Sequence, residues 1–425
     1  MILGALVALG PLSTDAYVPG LPRLAADLRG SPSAAQLTVT ACLIGLAVGQ
    51  LLAGPMSDAL GRRRPLILGL TVYTASGLLC AGAPSITLLV LFRGIQGIGG
   101  AFALVIAYAS VRDRHAGQAA ARYFSALLLV SGLAPILAPL AGARILAASG
   151  WRGIFVALAV LSGAVLLACA GALPESLAPH LRRSGGLRAA GSAYRRLLTD
   201  RRLVGYALVN AFVFAAMFAY IAGSPFILQD IHHLSPGKYS LVFAVNALGL
   251  VLAAQVNGRL VRAVDARLLL GIGVIGTAAG SLALLALVTT TAVLWPLLAA
   301  FFTVVTSVGL VLPNAAALAL EQHGADAGAA AALLGCGQFL VGGLAAPLVG
   351  SGGAHSAVPT AVVMAALSVA AMLVLMLPAS QAATGSGHLP LPQRAARLRT
   401  AGPAPTPPTT EPPAPPTHTH GTAHR

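Results

Sequence analysis

Apolar residues in this chain come in runs of about twenty, broken by short polar links. A helix crossing ~30 Å of hydrocarbon needs about 20 residues. Twelve runs meet that length: 2–24, 37–56, 66–83, 86–111, 124–148, 153–173, 203–228, 241–261, 268–288, 294–320, 329–349 and 359–377. Two stretches between or after them are longer and polar, 174–202 in the middle and 379–425 at the end. The pattern therefore predicts an all-α integral membrane protein with twelve transmembrane helices. Residues 1–173 and 203–378 are expected as six-helix bundles joined by a basic linker. The tail, rich in Pro and Thr, is expected to be disordered, because it cannot bury enough apolar surface to fold.

Internal echoes support a duplicated unit. The fifth run contains SGLAPILAPLAG and the eleventh contains VGGLAAPLVG. GRRR follows the second run and GRLVR closes the eighth. Two six-helix pseudo-repeats are a known transporter architecture.

Composition adds to this picture. Of 425 residues, 57% are hydrophobic and 9% charged. A soluble domain carries about 25% charged residues. The net charge of +15 invites a nucleic-acid reading, but no dense basic patch with interleaved aromatics exists. The basic residues instead sort by side. With the N-terminus cytoplasmic, 20 of the 26 fall in inward links or the tail, 5 outside, and Arg93 within a span. Such a bias places both termini in the cytoplasm. The first run leads into Ser13-Thr14-Asp15 without a basic preface, so it reads as a span and not as a cleaved signal. The four cysteines lack metal or redox spacing, and the tail histidines His418, His420 and His424 read as solvated. No metal is expected.

Of eleven acidic residues, only Asp15 falls well inside a span. A charge at the bilayer centre costs about 2.5–3.5 kcal/mol on insertion scales, so it marks a pair or a function. Asp15 lies thirteen residues into the first run, ~20 Å at 1.5 Å per residue. Arg93, seven residues into the fourth run, lies ~10 Å from the opposite surface. The two charges come out at similar depth, which permits contact. Burial disfavours a charged carboxyl and a neighbouring Arg favours it. A carboxyl balanced between these effects is suited to taking up and releasing a proton. Either Asp15 is a proton and substrate switch tuned by Arg93, or the two form a static pair.

Other polar groups in apolar runs are Tyr17, Gln50, Gln96, Asn210, Tyr220, Asn246, Gln255, Asn314 and Gln338. Lipid disfavours such groups, so they are expected to face a cavity or hydrogen-bond between helices. Phe212, Phe214, Phe218, Tyr220, Phe226 and Met217 make the seventh run an aromatic wall, for packing or for a lipophilic ligand. Trp151 and Tyr206 are expected at membrane interfaces.

GPMSDALGRRRP, residues 54–65, resembles the loop 2–3 signature of the major facilitator superfamily, with Gly54, Asp58, Gly61, Arg62 and Arg63 in place and Ala59 departing from it. Asp58 is read as lying just past a helix end, placed to cap a neighbouring helix. In the family this loop latches the halves together. LFRGIQG resembles the fourth-helix motif through Arg93, Gln96 and Gly97. Gly132, Pro135, Pro139 and Gly142 resemble the fifth-helix antiporter motif, with Ala134 and Ala138 where glycine is usual. Leu12, Ser13, Asp15, Tyr17, Pro19, Leu21 and Pro22 look like the Bcr/CflA branch of drug:proton antiporters. The resemblance implies a bacterial inner-membrane exporter of small lipophilic drugs, driven by the proton gradient and needing no cofactor. Its expected partners are those substrates, protons and lipid, with no nucleic acid, and it is expected to act as a monomer. The alternative is a proton-coupled metabolite transporter of the same fold. An enzyme is not expected, since no cluster of acids or His/Asp/Ser set lies within the spans.

Overall fold

A computed structural model describes residues 2–115, 117–182, 186–290, 293–323, 326–350 and 356–377. Met1–Gln381 form one compact unit. The tail expectation for 379–425 lies outside the described residues. Within the unit the helices are α1 (Ile2–Asp15), α2 (Leu21–Asp27), α3 (Pro32–Leu60), α4 (Arg63–Ala81), α5 (Ile86–Arg114) and α6 (Gly117–Ala172). The linker holds α7 (Gly186–Leu197). Then follow α8 (Arg201–Pro225), α9 (Pro236–Leu260), α10 (Ala266–Thr290), α11 (Leu294–Leu320), α12 (Ala327–Val349) and α13 (Val358–Met376).

Among the described residues, 11 helical stretches are long and apolar enough to cross a membrane. One of them, Arg122–Ala172, has 51 residues, or ~77 Å of helix, more than twice the hydrocarbon thickness. It breaks at Gly150, whose φ of 71° and ψ of −176° belong to a region essentially reserved for glycine. The fifth and sixth runs are its two arms.

Helix starts follow from sequence. Ser31 precedes Pro32 and accepts from the Ala34 N–H at 3.1 Å. Ser235 precedes Pro236 and accepts from the Lys238 N–H at 3.4 Å. Serine at the N-cap with proline at the next position supplies an acceptor and a preset φ. These two Ser-Pro starts open the second helix of each half, an echo that the apolar runs alone do not display.

The first run is not one helix, as expected from 2–24. It stops at Asp15, makes a 3-10 turn at Val18–Gly20 and resumes as α2. Pro19 and Pro22 offer no N–H to the preceding turn, so the chain rewinds where they fall. The seventh run ends similarly: α8 closes at Pro225 and widens into a π turn, Phe226–Ile231. Trp151 and Tyr206, expected at membrane interfaces, are buried against protein, at 2% and 1% exposure. Trp151 Nε1 donates to Asp27 Oδ2 at 3.0 Å, and the Arg152 guanidinium sits 4.2 Å from its ring. A polar partner inside the protein removes the ring's need for the interface.

Candidate functional site

Asp15 is the last residue of α1, buried at 5% exposure. Its described hydrogen bond is local: Thr14 Oγ1 donates to Oδ1 at 2.9 Å. Among the described residues it has no ion pair. Across the bundle, Tyr220 and Tyr239 lie within electrostatic reach of it. The acid thus stands where α1 breaks, within electrostatic reach of phenols of the other half.

Arg93 does not contact Asp15, which corrects the expected pairing. Its Nη1 donates to Ser13 Oγ at 2.9 Å and to Gln96 Oε1 at 2.6 Å, and its Nη2 donates to the Ser13 carbonyl at 2.9 Å. The guanidinium lies 4.6 Å from the Tyr17 ring centroid and 5.6 Å from that of Phe155. Its exposure is 0%. Depth along the membrane was compatible with contact, but direction around the helix sends the side chain into the interior of the first half. Tyr17 is fixed there as well, its hydroxyl 3.1 Å from Thr38 Oγ1. Gln96 Nε2 and Arg93 Nε are buried without a protein partner.

The second half gathers amides and aromatics. Asn246 Nδ2 donates to the Tyr220 hydroxyl at 2.8 Å. Tyr220 also meets Phe301 at 5.0 Å and Phe243 at 5.8 Å between ring centroids. Phe214 packs on Phe218 at 4.7 Å and on Phe339 at 5.2 Å. Asn210 Nδ2 donates to Gln338 Oε1 at 3.1 Å, and Asn314 Nδ2 to Asn257 Oδ1 at 2.6 Å. Gln50 is buried and presses against Gly335, where a Cβ would collide with it. Gln255, expected to face protein or a cavity, is exposed on α9.

The halves are laced together at one end of the bundle. Ser33 Oγ donates to the Pro347 carbonyl at 3.0 Å, and Thr40 Oγ1 to that of Gly343 at 2.8 Å. Gln36 Nε2 reaches the Ala222 carbonyl at 3.1 Å, and Gln229 Nε2 that of Pro19 at 3.2 Å. Ser240 Oγ donates to the Pro139 carbonyl at 3.0 Å. Gly132 and Pro139 of the fifth helix lie on this seam, whereas Gly142 packs inside the first half. Gly132 lies against Val251 of α9, and Gly142 against the Ala16 carbonyl, where any Cβ would penetrate the oxygen. Pro135, like Pro139, lies within the α6 helix.

At the other end, Arg62 organises the loop motif. Its side chain ion-pairs with Asp58, bonds Asp113 Oδ2 at 2.8 Å through Nε, and reaches Ser57 Oγ at 2.7 Å. Asp58 lies inside α3, not past its end, and caps no helix; α3 continues four residues beyond the expected boundary and carries it along. The cap comes from Glu175, which the sequence reading missed. Its carboxylate accepts from the N–H groups of Arg62 at 2.8 Å and Arg63 at 3.2 Å, opening α4. It also accepts from the N–H groups of Ser176 and Leu177. Burial opposes its charge, yet these four backbone donors outweigh burial and hold the carboxyl below its usual value of 4.5. Gly61, at φ 87°, lets the chain turn against that carboxylate. Gly54 faces open space. Every partner described for Arg62 and Arg63 lies in the first half or, for Glu175, at the start of the linker, so in this conformation the motif forms a clasp on one half.

A family model for the Major Facilitator Superfamily matches residues 3–347. An MFS-type transporter of Bacillus subtilis (strain 168), YdgK, is 38% identical over 351 residues, 82% of this chain and 87% of that one. The chain belongs to the major facilitator superfamily. A bicyclomycin resistance protein homolog of Haemophilus influenzae is 28% identical over 376 residues, 88% of this chain and 94% of that one. The crystal structure of a D-xylose-proton symporter superposes with TM-score 0.69 at 18% identity, covering 88% of this chain and 96% of that chain. That likeness shows the shared fold. The protein is a multi-pass membrane transporter of this superfamily. Among its described residues no group of three His, Cys, Asp or Glu side chains could hold a metal ion.

Proposed function

We propose that this transporter exports small lipophilic compounds, including antibiotics of the kind its relatives' names mention, in exchange for protons. The observation that carries the reading is Asp15. It is a buried carboxyl without an ion partner among the described residues, at the break of α1 and within electrostatic reach of Tyr220 and Tyr239. A solitary acid in that position changes charge when a proton binds, and the cost of a buried charge gives protonation leverage over conformation. The positive-inside bias puts both termini in the cytoplasm. The laced end is then the outer one, and this conformation is closed to the outside. Protonation of Asp15 removes charge beside the α1 break. The two six-helix units rock about the α3–α12 and α6–α9 seams, and substrate and proton cross in opposite directions. The aromatic and amide wall around Phe218, Tyr220 and Asn246 receives the lipophilic body of the substrate. A single chain suffices for this cycle.

The test is Asp15→Asn in proteoliposomes. Wild type is expected to move a bicyclomycin-type or chloramphenicol-type compound against its gradient when a pH gradient is applied. Asp15→Asn should lose that concentrative movement. Wild-type rates in the variant would remove the proton role.

A further inference from the structure

A groove of about 740 Å³ opens on the membrane-facing surface between α9 and α11, at the laced end of the bundle. That volume lies within the usual range for small-molecule sites, about 300–1,000 Å³. Its walls are apolar and exposed, with Leu241, Val245 and Phe302 facing outward and Trp295 76% exposed. Its rim is polar: His232, His233 and Lys238 converge there, and no carboxylate lines it. Lys238 is the only lysine among the chain's 26 basic residues. His233 is held at φ 55°, an uncommon backbone state for a residue other than glycine. Burial, then the neighbouring His233, keeps His232 below its ordinary value. One cation and two imidazoles beside an apolar trough in a bilayer match the two parts of a lipid.

We propose that this groove binds one anionic phospholipid, its phosphate at Lys238 and the two imidazoles, and an acyl chain along Leu241, Val245 and Phe302 beside Trp295. A lone phosphate would leave the trough empty, and a zwitterionic lipid would bring a second cation to a cationic rim. The inner end of the groove is Asn246, which holds Tyr220. The bound lipid therefore rests on the helix that shapes the candidate transport site. The inference stands whatever compound is exported.

Trp295 is a built-in reporter. The other tryptophan, Trp151, is 2% exposed and shielded from lipid. The full-length protein is reconstituted with brominated phosphatidylglycerol or brominated phosphatidylcholine at equal mole fraction, and quenching of tryptophan emission is measured. Brominated phosphatidylglycerol is expected to associate about fivefold more strongly, the worth of one basic side chain near an anionic headgroup. Lys238→Gln, an exposed substitution, should bring the ratio close to one. Trp295→Phe should abolish the lipid-dependent quenching. Equal quenching by the two lipids in wild type overturns the proposal. So does a preference that survives Lys238→Gln, or one still visible in Trp295→Phe.

Discussion

The first six spans bury a carboxyl and a guanidinium in the bundle, at Asp15 and Arg93, while the last six, among the described residues, bury only amides, phenols and hydroxyls. Neutral groups find partners inside a bundle: Asn246 with Tyr220, Asn210 with Gln338, Asn314 with Asn257. An ionisable group in hydrocarbon needs a stronger reason to be retained. The proposed proton site thus lies in one half and the proposed ligand wall in the other. Within the first half the two charges also part company. Arg93 is bonded on three sides and stacked on two rings, whereas Asp15 holds only its neighbour Thr14. One is fixed by the fold and the other is left free to change.

That contrast is tested first on stability. Arg93→Ala strips Ser13 and Gln96 of their donor and opens a void beside Tyr17 and Phe155. Leaving a buried acceptor without its donor costs about 1–3 kcal/mol, and a loss of at least that order is expected in unfolding from detergent. Arg93→Lys keeps the charge but not the planar fork, so it should recover only part. Asp15→Asn should unfold at nearly the wild-type midpoint while losing coupled transport. Equal stability losses at both positions would erase the distinction between a structural and a switching charge.

The next test concerns two fifth-helix glycines, Gly142 packed within the first half and Gly132 packed against the second. Gly142→Ala drives a methyl into the Ala16 carbonyl, directly after Asp15. Backbone cannot yield as a side chain does, and overpacking costs about 1–3 kcal/mol. Gly132→Ala meets only the Val251 methyl at 3.2 Å and should be milder. Transport by the two variants, normalised to folded protein, separates them: Gly142→Ala is expected to be the slower.

Much of this was legible in the sequence because the bilayer imposes lengths and penalises charge. The twelve runs, the break near Gly150 and the solitary acid at residue 15 all follow from those two constraints. The partner of Arg93 was not legible. Depth can be counted from a helix end, but azimuth depends on packing against Ser13 and Tyr17, eighty residues away in sequence. Glu175 was hidden for the same reason: it lies 113 residues from Arg62 and carries no motif that announces a cap. The α1 break was present in the letters, since two prolines three residues apart, Pro19 and Pro22, each remove a backbone donor there, but hydrophobicity alone ran across it.

The clasp around Arg62 extends the comparison to the end of the bundle opposite the laced one. Glu175→Gln keeps the shape and loses the charge that receives four backbone donors, and a lost helix cap is worth about 0.5–2 kcal/mol. The Glu175 carboxyl sits below its usual 4.5 in the folded chain. Its stabilising contribution is therefore complete above that unfolded value and disappears as pH falls through the lower folded value. Hydrogen exchange at the Arg62 and Arg63 amides, corrected for intrinsic rates, should stay slow from neutral pH down to the mid-4 range and accelerate below it. In Glu175→Gln the same amides should exchange fast throughout. Identical profiles in the two proteins would transfer the cap to another group.

The smallest effect is expected in the second half, and it decides whether that half holds a ligand or only itself. A hydrogen bond between transmembrane helices averages about 0.6 kcal/mol, so Tyr220→Phe and Asn314→Leu should both shift stability little. They should differ in transport. Tyr220 stands among Phe243 and Phe301, within electrostatic reach of Asp15, and Tyr220→Phe should raise KM for a lipophilic substrate several-fold with little change in folding. Asn314 is tied to Asn257 and to the Leu310 carbonyl at 2.8 Å. Its replacement should leave KM unchanged. A double-mutant cycle of Tyr220→Phe with Asn246→Leu should show coupling in KM, because the two side chains present one hydrogen-bonded surface to the ligand. If the two KM changes instead simply add, or if Asn314→Leu shifts KM as far as Tyr220→Phe does, the amide pairs of the last six spans are equivalent packing elements and the ligand wall lies elsewhere.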